Sequence, residues 1–363
     1  MTVKTSGPPD TGFAARDVAV VLAGGNALGA YHSGACAALT DSGLTPNWYI
    51  GTSIGAITGA ILLGNPPETR FARLEAFWRQ AAQPTPPGLH LLPEGMRARI
   101  GNDYGLATLL AGRPGLFGAR WPGVWSVLPF LPPDTALRDH RPMRRTLERL
   151  IDFDRLNNGE ARLSVMALDL ETGEDVWFDT ASTGVHVDHL LAATALVPLF
   201  PAVSVEGRNL CDGGLANNLA LDRVLRADLD RPLLCLACDL FNPRGPAPQS
   251  LDQAVTRVQD LAFSVQTRRA LAALVTEREL RHRLNTDLPH VLLGLMSYVG
   301  AGSERSLKAL DFSRARLADR AACGRRDMAV LLGRLREAPQ DTGPTTVVTL
   351  DDVAKGPPHD AVA

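Results

Sequence analysis

The sequence predicts an α/β fold built on a mainly parallel sheet, extended by helices toward the C-terminus. A continuous apolar, β-rich run, "DVAVVLAGG", fills residues 17–25 and ends in glycines, as a central parallel strand does when both of its faces are covered. Strand and helix then alternate with short links up to residue 64, the pattern of a right-handed parallel unit. After Pro248 the character changes, with Leu251, Val255, Val258, Ala262 and Val265 at helical spacing among charged residues.

The first strand leads into "ALGAYHSGACAALTDSG", a helix of small residues ending at Gly43. "NWYIGTS" reads as the second strand and "IGAITGAILLG" as the second helix, stopped by Gly64 and the prolines after Asn65. Both glycine turns fall at the C-terminal edge of the sheet, where ligand chemistry collects. "PPETRFARLEAFWRQAA" is an amphipathic helix. Residues 84–135 are rich in Pro, Gly and apolar side chains without clean periodicity, which fits a packed insertion or cap. A second reading of that stretch lets Trp121, Trp125 and Phe130 dip into a lipid interface. "RPMRRTLERLI" is a helix, "ARLSVMALDLETGEDVWFD" a hairpin turning at Glu171, Thr172 and Gly173, and "HVDHLLAATAL" a helix closed by Pro198. "VSVEGRNLCDGG" is a strand pair ending in a third glycine turn, and "RPLLCLACDLF" a buried strand. The resulting organisation is a disordered leader over 1–16, a main domain over 17–245, a helical appendage over 250–340 with a second helix at roughly 311–338, and a strand with a loose tail over 341–363.

A chain of 363 residues with 45% hydrophobic content buries a large core without metals or staples. Its 37 basic and 39 acidic residues leave a formal charge of -2, so there is no electrostatic footprint for nucleic acid. From residue 18 to residue 67 the sole charged side chain is Asp41. Gly, Asn and Pro nevertheless cut this region into pieces shorter than the roughly 20 apolar residues of a spanning helix. The N-terminus lacks the basic flank and apolar stretch of a signal peptide. Of five cysteines, Cys235 and Cys238 form a C-x-x-C pair inside a strand run, which reads as two small core residues in a reducing cytosol. A cytoplasmic protein follows, peripheral to the inner membrane face if the aromatic insertion meets lipid.

Chemistry concentrates in three glycine turns. "GGNALG", residues 24–29, matches neither the dinucleotide loop, because Asn26 stands at the third glycine, nor a P-loop, because Ala30 and Tyr31 follow Gly29. The backbone N–H groups of Gly25, Asn26 and Ala27 at a helix N-terminus can hold an anion; close packing of helix on strand is the alternative. "GTSIG" matches the nucleophile elbow G-x-S-x-G, in which Gly51 and Gly55 allow a sharp strand-to-helix turn that lifts Ser53 onto the helix N-terminus. A nucleophilic serine needs a base. None of the eight histidines stands in a glycine-rich loop after a strand, whereas Asp212 of "CDGG" does, flanked by Gly213 and Gly214. A plain turn-capping aspartate is the alternative there.

Taken in order, "GGNALG", "GTSIG" and "DGG" resemble the patatin-like phospholipase family over roughly residues 17–225. "ALGAY" agrees with its bacterial branch, and "QDLAFSVQTRRAL" and "LDFSRARL" resemble the helical C-terminal extension of that branch. The resemblance implies a three-layer α/β/α fold and a serine lipid acyl hydrolase that uses a Ser/Asp dyad without histidine, metal or cofactor. It places the nucleophile at Ser53, the base at Asp212 and the oxyanion loop at Gly24, Gly25 and Asn26, with Ala27 beside them and Gly29, Gly51, Gly55, Gly213 and Gly214 supporting the turns. Three departures stand out: Asn26 for the third glycine, Leu28 where many relatives carry Arg or Lys, and Val197 and Leu199 in "ALVPLFP" where the branch tends to Pro and Gly. Asn tolerates the positive φ such a loop demands. The partner implied is a lipid or other acyl ester, with oligomeric state open. An acyltransferase on the same fold, or a lipid-binding protein with a weakened site, are the rival readings. Carrier transacylases of related fold place a histidine where Thr52 stands, which counts against the first.

Overall fold

The computed structural model describes residue 13 and residues 16–85, 92–159, 161–285, 287–300, 307–339 and 343–350. The leader expected over 1–16, the tail beyond 350 and residues 86–91 of the insertion lie almost wholly outside the described residues.

The chain opens on β1 (Asp17–Leu22), a 3-10 turn over Asn26–Gly29 and α1 (Ala30–Asp41), then β2 (Trp48–Thr52) and α2 (Ile54–Leu63). β1 and β2 pair in parallel, Ala19 opposite Trp48 and Leu22 opposite Gly51, and every β2 residue is buried. Parallel strands covered on both faces explain why this stretch carries so little charge.

α3 (Arg70–Ala81) follows, and the insertion then builds α4 (Glu94–Ala111), β3 (Gly118–Ala119) and β4 (Arg138–Asp139). α4 is a helix of 18 residues where the sequence showed no periodicity; Gly95, Gly101 and Gly105 interrupt its apolar pattern. α5 (Arg141–Leu150), α6 (Phe153–Asn158), β5 (Arg162–Asp169), β6 (Asp175–Asp179) and α7 (Val187–Ala193) lead to the strand pair β7 (Val203–Val205) and β8 (Arg208–Asp212). α8 (Asp222–Leu225) and β9 (Leu233–Asp239) complete the first part of the fold. Cys235 and Cys238 are free and buried in β9, as core residues.

The C-terminal part holds α9 (Leu251–Leu284), β10 (Val291–Ser297), α10 (Arg314–Glu337) and β11 (Thr345–Thr349). Its two helices agree with the helical spacing. The C-terminal region is helical as expected, and two strands tie it to the rest: β10 and β11 join the main sheet, giving the order β11-β10-β9-β1-β2-β5-β8-β7 with β6 also on β5. β10 lies parallel to β9 over its full length, Val291 opposite Leu233 and Ser297 opposite Asp239. Burial on the sheet decides for a strand in "HVLLGLMSYVG", an apolar run that reads equally as strand or buried helix by periodicity. The result is three layers, a mainly parallel mixed sheet with helices on both sides. Among the described residues no helix is long and apolar enough to cross a membrane.

Candidate active site

β5 explains how residues 159 positions apart in sequence come together. Its residue Met166 pairs with Thr52 of β2, and the next, Ala167, pairs with Asp212 of β8. β6 occupies one edge of β5 over residues 164–168, so β2 and β8 share the other. β2 runs parallel and β8 antiparallel to β5, and their C-terminal ends therefore converge. Ser53, one residue past Thr52, lies against the Asp212 carboxyl.

Ser53 sits on the elbow with φ 54 and ψ −122, the strained geometry that presents a side chain at a strand-to-helix turn. The flanking glycines are required by contact. A Cβ on Gly51 would lie 2.4 Å from the Ala56 backbone, and one on Gly55 2.2 Å from the Leu22 carbonyl oxygen. Asn26 adopts φ 52, so the replacement of the third glycine is accommodated by the αL tolerance of asparagine. Within the loop, the Gly24 N–H donates to the Asn218 carbonyl and the Leu28 N–H to the Gly25 carbonyl. The N–H groups of Gly25, Asn26 and Ala27 between them make no hydrogen bond to another group among the described residues.

Asp212 is buried at the end of β8. Its own N–H donates to the Ala195 carbonyl at 3.1 Å, and its Oδ1 accepts the Gly214 N–H at 2.8 Å. Burial pushes the carboxyl pKa up to about 6, against the opposing pull of the Ser53 hydroxyl and the Gly214 N–H. The carboxyl thus titrates near neutrality while touching a serine.

Two asparagines that the motifs passed over tie these turns together. The Thr52 hydroxyl donates to the Asn217 carbonyl at 3.3 Å. Asn218 Nδ2 donates to the Gly24 carbonyl at 3.2 Å while the Asn218 carbonyl accepts the Gly24 N–H. The "NN" pair follows "DGGLA" directly, a signal visible in the sequence that has meaning only once Gly24 is known to be its neighbour.

Ser53, Asp212, Gly24, Gly25 and Asn26 border one cavity of about 220 Å³. Its walls are mostly apolar, lined by Ile57, Phe117, Leu199, Phe200, Phe263 and Leu310 among others. Leu199, one of the departures in "ALVPLFP", lines it and Val197 does not. Phe263 comes from α9 and Leu310 from the turn before α10, so the C-terminal part closes the site. Among the described residues no histidine lines the cavity. His32, within α1, is wholly buried, and burial keeps it neutral with a pKa lowered to about 3.

A crystal structure of VipD from Legionella pneumophila is similar to this chain at 13% identity and a TM-score of 0.40, over 88% of this chain and 67% of that one. No curated protein sequence matches. The family model for patatin-like phospholipase matches residues 20–225, which include all three glycine turns and both strands that converge on them. The chain belongs to the patatin-like phospholipase family, a family of lipid acyl hydrolases.

Proposed function

We propose that the protein hydrolyses the carboxylic ester of a lipid through Ser53 and Asp212. The observation that carries this reading is the contact of Ser53, on its positive-φ elbow, with a buried carboxyl that titrates near 6. Asp212 accepts the Ser53 proton as Oγ bonds to the ester carbon. The tetrahedral oxyanion forms beside Gly25, Asn26 and Ala27, whose N–H groups make no other hydrogen bond among the described residues. Collapse breaks the bond to the alcohol oxygen, which takes the proton from Asp212. Water then attacks the acyl-enzyme with Asp212 again as base, and the carboxylic acid leaves as Ser53 regains its proton.

The cavity is smaller than the roughly 300–1,000 Å³ of sites that enclose a whole drug-sized ligand. A single acyl chain fits this volume, and the rest of the lipid stays at the mouth. The insertion favours that geometry. The Leu137 and Arg138 N–H groups donate to the carbonyls of Pro198 and Leu199, and Phe117 packs edge-on against Phe200. These contacts fix beside the cavity wall a knuckle on which Trp121, Val127 and Phe130 are 73%, 80% and 79% exposed. Large apolar side chains this exposed mark a surface that meets another apolar phase, and the knuckle inserts at the surface of an aggregated substrate.

Release of p-nitrophenol from a series of p-nitrophenyl acyl esters tests the dyad, with Ser53→Ala and Asp212→Asn as comparisons. Both variants are expected to lose turnover by ~10²–10⁴-fold; wild-type rates in either sink the reading. The knuckle is tested by co-sedimentation with phosphatidylcholine vesicles, in which the double variant Trp121→Ser, Phe130→Ser is expected to stay in the supernatant. Equal sedimentation of variant and wild type removes the interfacial role.

A further inference from the structure

The loop beside Ser53 carries no charge of its own, since residues 24–29 are Gly, Gly, Asn, Ala, Leu and Gly. A cation reaches its backbone from almost three hundred residues away. Arg320, in the second turn of α10, is 0% exposed. Its guanidinium donates through Nη1 to the Ala27 carbonyl at 3.2 Å and the Asp311 carbonyl at 2.9 Å, and through Nη2 to the Lys308 carbonyl at 2.9 Å. Removing a guanidinium from water costs several kcal/mol, and here much of its donor capacity goes to backbone carbonyls of two separate segments. The Asp311 carboxyl, also buried, lies near enough for Arg320 to oppose the rise in pKa that burial imposes on it.

Arg320 has little room to move. A Cβ on Gly34 of α1 would lie 1.7 Å from the Ala321 carbonyl oxygen, and one on Gly324 of α10 2.0 Å from the Tyr31 carbonyl oxygen. The backbones of α1 and α10 therefore touch at Ala321 and Gly324, in the stretch that directly follows Arg320. α1 begins directly after the loop, and the Ala27 carbonyl already accepts the Ala30 N–H that starts the helix. Arg320 adds a second, charge-assisted donor to the same oxygen.

We propose that Arg320 is a positioning residue for the oxyanion loop: it holds the Ala27 carbonyl from behind, so that the N–H groups of Gly25, Asn26 and Ala27 keep their aim at the cavity and face Ser53 with a fixed positive charge at their backs. The catalytic part of this proposal rests on the Ser53–Asp212 reading above; the structural part does not. By it the C-terminal part of the chain completes the active site, in addition to supplying two strands and part of the cavity wall.

The test combines steady-state kinetics on a soluble p-nitrophenyl ester with hydrogen exchange of the peptide covering the loop. Arg320→Met is expected to lower kcat by ~10²-fold, the scale of a lost oxyanion donor, with KM within about twofold and with faster exchange confined to the loop. Arg320→Lys keeps a charge and a donor and is expected to recover part of kcat; it carries the test if the methionine variant fails to fold. Asp327→Asn, which replaces the charged acceptor of the Tyr31 hydroxyl on the same pair of helices with a neutral one, is expected to lower Tm without changing kcat. Overturning results are unchanged kcat in Arg320→Met, unchanged loop exchange, or a loss of kcat matched by Asp327→Asn. If Ser53→Ala retains wild-type turnover, the dyad reading fails separately, and loop exchange still decides the role of Arg320.

Discussion

Two of the strands paired with β5, namely β6 and β8, each hold a buried aspartate against it, and the surroundings drive the two carboxyls in opposite directions. Near the start of β5, Ser164 pairs with Asp179 of β6. Burial works to raise the Asp179 pKa, but Arg162, the Ser164 hydroxyl, the Ala181 N–H and Arg223 overwhelm it and hold the carboxyl far below the usual carboxylate range. Arg162 is bidentate on it, Arg223 adds a bond at 2.9 Å, and the two guanidiniums lie over Trp48 and Trp177. Three residues further along, Asp212 opposite Ala167 has one backbone N–H and one serine hydroxyl, with no cation beside it among the described residues, and titrates near 6. Of two carboxyls shielded from solvent, one is thus an anion that locks a hairpin to the sheet and the other can exchange its proton; the cations within reach of Asp179 and the fuller desolvation of Asp212 together decide which is which.

Exchanging each aspartate for asparagine separates the two most sharply in activity. Asp212→Asn is expected to lower kcat/KM by ~10²–10⁴-fold, whereas Asp179→Asn leaves it within a few fold, both read on the same soluble ester. A large loss in Asp179→Asn with an intact fold breaks the contrast.

Stability should move the other way. Asp179→Asn is expected to cost about 2 kcal/mol in urea unfolding at pH 8, below the ~3–5 of a fully buried pair because its arginines are 37% and 31% exposed. Asp212 in the fold binds its proton up to about pH 6, the unfolded chain only to about 4. Between these values the unfolded chain sheds the proton first, so stability falls as pH rises. Asp212→Asn is thus expected to stabilise the protein by roughly 1–3 kcal/mol at pH 8 and to differ little from wild type below pH 4. For Asp179 the depressed pKa gives the reverse, a contribution present above about pH 4 and lost on further acidification. Parallel losses in both variants at pH 8 refute the comparison.

The smallest effect is the shape of the pH profile. On the proposed role of Asp212 as base, which must be ionised, wild-type kcat/KM should rise with pH up to about 6 and level off above it. A midpoint near 4 means that the Asp212 carboxyl is not raised while the enzyme works.

The glycine turns, their order and the serine at the elbow were legible because each answers a local steric demand. The elbow forbids a Cβ at Gly51 and Gly55, and the loop requires a residue that accepts positive φ at position 26. Such demands leave a signature a few residues long. The alternation of strand and helix was legible for the same reason, as was the helical spacing of residues 251–284. α4 was hidden by its own glycines, and β10 by an apolar run that periodicity leaves undecided.

By itself, then, the sequence determined the α/β class, the three turns and the residue types they carry, since hydrophobic period and backbone sterics act over a few neighbours. The tertiary structure alone decided that β2 and β8 converge on adjacent residues of β5, that Asn218 and Arg320 grip the same loop from two sides, and that Asp212 lacks the cations Asp179 has. These depend on burial and on partners as far away as 293 positions, and desolvation and charge pairing leave no spacing in the chain from which to read them.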